Sequence, residues 1–174
     1  MYKIIIFAVA SLGIIITSWP SLRNPRSHGF FRFFAWEAIL GMILLNLEPW
    51  FRNPFSILQI VSWIFLIISI FLVIHGVYLL RAVGKPRDAI EDTTNLVLQG
   101  AYKYIRHPLY SSLLFLAWGL FFKNLDLLNT TLVIVATLFL VATARAEEAE
   151  NLQKFGTGYA EYIKKSKMFI PFVL

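Results

Sequence analysis

The sequence predicts an all-α integral membrane protein, a helical bundle of about five transmembrane helices followed by a C-terminal cytosolic amphipathic helix. Three observations carry this. The chain of 174 residues is 58% hydrophobic, with a mean hydropathy of +0.68, more apolar surface than a soluble domain of this size can cover. The apolar residues fall into five runs: Tyr2 to Trp19, Phe30 to Trp50, Ser56 to Leu80, Pro108 to Phe122, and Leu127 to Ala144. Finally, the basic residues gather in alternate connections. One set holds Arg23, Arg26, Arg32, Arg81, Lys85, Arg87, Lys103, Arg106, Arg145, Lys154, Lys164, Lys165 and Lys167, the other only Lys3, Arg52 and Lys123. By the positive-inside rule this bias puts the N-terminus outside and the C-terminus in the cytoplasm.

The first run leads into Trp19-Pro20 and a basic loop rather than a small-x-small cleavage site, so it is expected to be retained. The last two runs are short for a bilayer core that takes about 20 residues per helix. They are read as a spanning hairpin turning at Lys123-Asn-Leu-Asp126. The connection from Arg81 to Gln99 is long and polar, with Gly84-Lys-Pro86 as a turn signal and Asp88, Glu91 and Asp92 offsetting its bases. After Glu147 an amphipathic helix is expected, with Leu152, Phe155, Tyr159, Tyr162 and Ile163 at helical spacing. Such a helix either lies on lipid or closes over a cytosolic pocket.

Composition narrows the chemistry. Without cysteine there is no disulfide framework, thiolate metal site or cysteine nucleophile, and three scattered His argue against a protein-only zinc site. The polar stretch Gly100-Ala-Tyr102-Lys-Tyr-Ile-Arg106-His107-Pro108-Leu-Tyr110 stands directly before the fourth run. Pro108 suits the first position of a helix, which places Arg106 and His107 at a helix N-terminus, where backbone N–H groups favour an anion such as a cofactor carboxylate. Glu147 and Glu148 stand at the cytosolic end of the fifth run. That is an unfavourable helix end for negative charge, so either the helix continues or a positive partner is present. Adjacent carboxylates point about 100° apart, so one is expected to face a pocket. Two further ionisable residues, Glu37 and His75, lie about 10 Å deep at 1.5 Å per residue, and either pair beneath the pocket floor or are satisfied independently.

Together these residues resemble the membrane methyltransferase family that includes isoprenylcysteine carboxyl methyltransferases and phospholipid methyltransferases. The first part of the pattern, Gly-x-Tyr-x-x-x-Arg-His-Pro-x-Tyr, is matched by Gly100, Tyr102, Arg106, His107, Pro108 and Tyr110. The second, Glu-Glu followed by Phe-Gly-x-x-Tyr-x-x-Tyr and a late Pro, is matched by Glu147, Glu148, Phe155, Gly156, Tyr159, Tyr162 and Pro171. The resemblance, from about Gly76 to Pro171, implies a cytosol-facing S-adenosylmethionine pocket and a lipophilic acceptor arriving from the bilayer. By that analogy the cofactor is held by Thr94, Asn95, Leu96, Val97, Tyr102, Arg106, His107, Pro108, Leu109 and Tyr110, with Glu147 closing the pocket. Residues 82–174 would then form the cofactor-binding half of a single domain, and residues 1–81 the substrate side.

Two positions depart from the family pattern. Ser112 stands where Gly is frequent, and Thr143 stands where an Arg is expected to hold a substrate carboxylate. Arg145, two residues on, lies roughly 200° around the helix, so a carboxylate acceptor is in doubt. Arg145, Glu37 and His75 are the candidates for contact with substrate. Such a donor carries an activated methyl group, so no protein nucleophile is needed. A carboxylate acceptor needs no base, whereas a protonated lipid amine must lose a proton, for which His107 and Glu148 are the catalytic candidates. Two rival readings are a sterol-type membrane reductase using NADPH and a non-enzymatic membrane scaffold. Beyond substrate and membrane lipids no partner is indicated, and nucleic acid is not expected.

Overall fold

Six α-helices account for most of the chain in a computed structural model, which describes residues 2–87, 90 and 92–173. They are α1 (Tyr2–Leu22), α2 (His28–Leu45), α3 (Ile57–Leu79), α4 (Pro108–Phe121), α5 (Leu127–Phe155) and α6 (Thr157–Lys165). A π-helical turn, Leu80–Gly84, prolongs α3. Short 3-10 turns occupy Pro49–Phe51 and Gly100–Lys103. Among the described residues there is no β-strand, only two isolated bridges. Asp88 and Glu91, two of the acids expected to offset the bases of the long connection, lie outside the described residues.

The expected segments form, and their bounds follow local chemistry. Ser27 caps α2 by accepting from Phe30 N at 3.3 Å. Asp126 caps α5, its Oδ1 accepting from Asn129 N at 2.7 Å. Four helices, α1, α2, α3 with its π-helical extension, and α5, are long and apolar enough to cross a bilayer. With 14 residues, α4 rises only about 21 Å. The fifth apolar run is not short, however. Nothing between Ala144 and Phe155 breaks a helix, so the run and the first part of the expected amphipathic helix fuse into one helix of 29 residues. The chain breaks at Gly156, whose φ of +55° suits glycine, and α6 begins there.

The residues cluster into two compact units that interleave along the chain. The first comprises residues 1–67 and 114–147. In it α2 buries Ala35, Ala38, Ile39 and Met42, and α5 buries Asn129, Val133, Ala136 and Leu140, both one helical face. Phe34 and Phe139 stack with centroids 4.8 Å apart. Two buried polar contacts also hold this unit. Asn46 Nδ2 donates to Asn129 Oδ1 at 2.8 Å. Lys123, read from the sequence as a loop charge, is 5% exposed. Its ammonium sits 3.7 Å from the Trp63 ring centroid and donates to Gln59 Oε1 at 2.9 Å. Burial lowers the lysine's proton affinity from its ordinary value. Lys123→Ala is expected to cost about 1–3 kcal/mol by leaving Gln59 Oε1 without its donor and the ring without its cation. Thermal unfolding in detergent measures it, and a Gln59→Leu background should shrink the loss.

The second unit comprises residues 68–113 and 148–174. Its core gathers Leu79, Leu80, Val97 and Tyr102, with Val83, Ile90 and Leu109 packed against them. It holds most of the motif residues.

Candidate functional site

The polar turn before α4 is held by the chain's last segment. Ile105 and Lys167 form a parallel bridge. Lys167 N donates to Tyr104 O at 2.9 Å, Arg106 N to Lys167 O at 2.7 Å and His107 N to Met168 O at 3.2 Å. Ser111 Oγ, one turn into α4, donates to Phe169 O at 2.9 Å. The backbone N–H groups of Arg106 and His107 are thus committed to protein carbonyls. An anion at this helix start would have to use donors further into the first turn.

Three ionisable residues meet here. Glu148 Oε1 accepts from Arg106 Nε at 2.6 Å and lies 3.3 Å from His107 Nε2. The Arg106 and Glu148 side chains are 9% and 15% exposed, so the pair is largely withdrawn from water. Nη1 turns inward as well, reaching the carbonyls of Ile163 and Ser166. Arg106, expected on the cofactor, therefore serves as a brace tying the turn, α5 and the end of α6 together. A charge-assisted bond of this length is stronger than a neutral one. It also answers the question of Glu148 at a helix end: α5 continues beyond it, and a cation stands opposite.

His107 is buried and stacks on Tyr110, with ring centroids 5.5 Å apart at 20°. Its Nε2 faces the Glu148 carboxylate, a contact that fixes the ring's orientation.

The aromatic half of the second motif closes the same cluster. Tyr159 and Tyr162 of α6 are buried and meet edge to face at 5.8 Å. Tyr162 Oη donates to Tyr102 O at 2.5 Å and to Ile105 O at 3.3 Å. Burial pushes the Tyr162 phenol well above its usual range, which keeps it a donor. The aromatic face of α6 is accordingly spent on the motif turn.

The remaining expected residues are placed as follows. Thr94 and Asn95 are exposed, and their side chains donate to the carbonyls of Gly84, Lys85 and Val83 at 3.1–3.2 Å. Leu96 is half-buried, and Val97, Tyr102 and Pro108 are buried, with Leu109 half-buried beside them. His75 Nε2 accepts from Ala101 N at 3.4 Å and its ring stacks on Phe71. In the first unit, Glu147 is half-buried, Arg145 exposed, and the buried Glu37 Oε1 has no hydrogen-bond partner among the described residues. Sequence reasoning missed Ser111, Ser166 and Phe169, whose part is played through backbone carbonyls and one hydroxyl. Residue type gives no signal for a carbonyl.

As for S-adenosylmethionine, the fit rests on what these residues are. A carboxylate, an imidazole and the polar Thr94–Asn95 pair belong to one unit; these residue types match a cation bearing hydroxyls and an amino-acid tail, while the Thr94 and Asn95 donors and Glu148 Oε1 are engaged within the protein.

These features define a helical integral membrane protein whose motif residues converge on one Arg–Glu–His cluster. Residues 57–158 match the phospholipid methyltransferase family, and the chain belongs to that family. It is 27% identical over 147 residues to a methanethiol S-methyltransferase of Crocosphaera subtropica, covering 81% of this chain and 55% of the relative. A second methanethiol S-methyltransferase, from a Pseudomonas species, is 24% identical over 143 residues, 80% of this chain and 54% of the relative. A third, from Pseudomonas deceptionensis, is 23% identical over 139 residues, 78% and 48% respectively. The chain thus spans about half the length of the curated relatives it matches.

Proposed function

We propose that this chain is an S-adenosylmethionine-dependent methyltransferase acting on a lipophilic acceptor that reaches it from the bilayer. The single observation carrying this reading is the convergence of the two family motifs, 41 and 42 positions apart in sequence, on Glu148 Oε1. When bound, the cofactor supplies a methyl group already activated on a sulfonium. The protein's own work is to bind, orient and exclude water. Arg106 is then a positioning residue that fixes Glu148. Glu148 in turn orients His107, and by the family pattern the cofactor would be held by residues of Thr94–Val97, Tyr102 and His107–Tyr110, with Glu147 in the role that pattern gives it. With Glu148 Oε1 held by Arg106, His107 is the better candidate to take a proton from an acceptor.

The acceptor follows from that proton. A lipid amine is protonated near neutral pH, and so is most of a thiol with a pKa of about 8.5. Thr143 standing where an Arg would hold a carboxylate speaks for one of these two. The thiol is favoured by the three relatives named for methanethiol, the amine by the family's name. The basic-residue bias supports a cytosolic site with the N-terminus outside.

Calorimetric titration of detergent-purified protein with S-adenosylmethionine and, separately, NADPH tests the reading. Saturable S-adenosylmethionine binding, lost in His107→Ala and weakened at least about tenfold in Glu147→Ala, is the expected result; tenfold corresponds to about 1.4 kcal/mol. Binding of NADPH alone would turn the assignment to a reductase, and binding of neither by folded protein to a scaffold.

A further inference from the structure

Beyond the motif cluster, the second unit has an open groove of about 640 Å³ along α3 and its π-helical extension, lined by Val73, Ile74, Val77, Tyr78, Arg81 and Ala82. This volume falls within the roughly 300–1,000 Å³ typical of small-molecule sites. Its walls are hydrocarbon except for one phenol and one guanidinium. Ile74 and Tyr78 are 65% and 64% exposed. Among the described residues, Arg81 is the only charged one lining it and no acidic side chain shares it. Charge complementarity calls for an occupant with hydrocarbon along most of its length and an anion at one end. Arg81 lies 24 residues into the combined helix, about 36 Å from its start at 1.5 Å per residue, more than the roughly 30 Å of a bilayer core. The cation therefore reaches headgroup level, with Tyr78 at the interface.

We propose that this groove holds one phospholipid of the surrounding bilayer, with an anionic headgroup on Arg81 and an acyl chain along Val77, Ile74 and Val73. A planar guanidinium matches a phosphate in two-point contact. A zwitterionic headgroup brings its own cation to compete for that phosphate, so the site selects lipids of net negative charge.

Occupancy reaches the cofactor segment through the backbone. Arg81 belongs to the Leu80–Gly84 turn. In that turn, Gly84 O accepts from Thr94 N at 2.9 Å and Asn95 N at 3.1 Å, and Val83 O from Asn95 Nδ2 at 3.2 Å. A lipid fixing Arg81 steadies the turn from which Thr94 and Asn95 hang. The lipid site itself does not depend on which molecule accepts a methyl group.

The absence of cysteine allows a clean test. A fluorophore on Ile74→Cys is read in nanodiscs containing either brominated phosphatidylglycerol or brominated phosphatidylcholine, with Ile60→Cys as a second exposed position on α3. One basic residue near a membrane surface confers a preference of about fivefold. The expected result is that preference at position 74, none at position 60, and its loss in Arg81→Gln. Equal quenching by both lipids, or a preference that survives Arg81→Gln, overturns the site. Abolition of the preference by inorganic phosphate would assign Arg81 to a free anion, and shielding of position 74 from both lipids would assign the face to a second copy of the chain. Hydrogen exchange reads the coupling: the Thr94 and Asn95 amides should exchange more slowly in anionic nanodiscs for wild type but not for Arg81→Gln. Unchanged exchange in wild type overturns the coupling while leaving the lipid site standing.

Discussion

Replacing Arg106 by Gln is expected to lower stability by about 3–5 kcal/mol, because breaking a buried ion pair leaves the other charge without compensation. The side chains of Arg106 and Glu148 are 9% and 15% exposed, so water does little to replace the lost partner. The carbonyls of Ile163 and Ser166 lose their donor in the same step. Thermal unfolding in detergent, read as a fall in Tm relative to wild type, measures the loss. Stability alone does not show that the cluster serves binding, so a second variant is needed. Arg106→Met combined with Glu148→Leu replaces the ion pair by packed hydrocarbon and should recover most of the lost stability. If the cluster orients His107 for cofactor binding, that recovered protein still fails to bind S-adenosylmethionine in the calorimeter. Recovery of both stability and binding would reduce the cluster to scaffolding.

The helices were legible in the sequence because apolar run length and alternating basic loops are direct consequences of crossing a bilayer. The extent of α5 was less so. The change from apolar to amphipathic composition near Glu147 reads as a boundary, yet composition does not end a helix; a conformational break does, and the break falls at Gly156. Leu152 and Phe155 consequently belong to α5, whereas Tyr159 and Tyr162 belong to α6. What read as a single stripe is divided between two helices.

The site divides in the same way. Arg106, His107 and Glu148 announce themselves by type and spacing, but the direction of Arg106 does not. Its donors turn toward two carbonyls and one carboxylate supplied by residues more than 40 positions away. Lys123 is a similar case. A lysine beside a turn reads as a solvated charge, and only the fold brings Trp63, Trp50 and Gln59 around it. In both, the partner that decides the side chain's role is distant in sequence or is backbone, and neither leaves a pattern.

Gly100→Ala is the second change expected to be severe, for two reasons that can be separated. Gly100 has φ of +56°, a conformation that costs an L-residue roughly 1–2 kcal/mol. A Cβ there would also stand 2.5 Å from His75 Nε2 and 2.7 Å from Leu79 Cδ1, and forcing extra volume into packed surroundings costs about 1–3 kcal/mol. The sum, about 2–5 kcal/mol, falls on the turn that presents Tyr102 and leads into Arg106 and His107, so stability and cofactor binding should fall together. Gly100→Asn tolerates the backbone conformation but not the collision, and should remain almost as destabilised. Adding His75→Ala to Gly100→Ala removes one of the two obstructing side chains, and the pair should then be less destabilised than the sum of the singles. Strict additivity would mean that His75 yields without cost and that the backbone conformation alone makes glycine necessary at position 100.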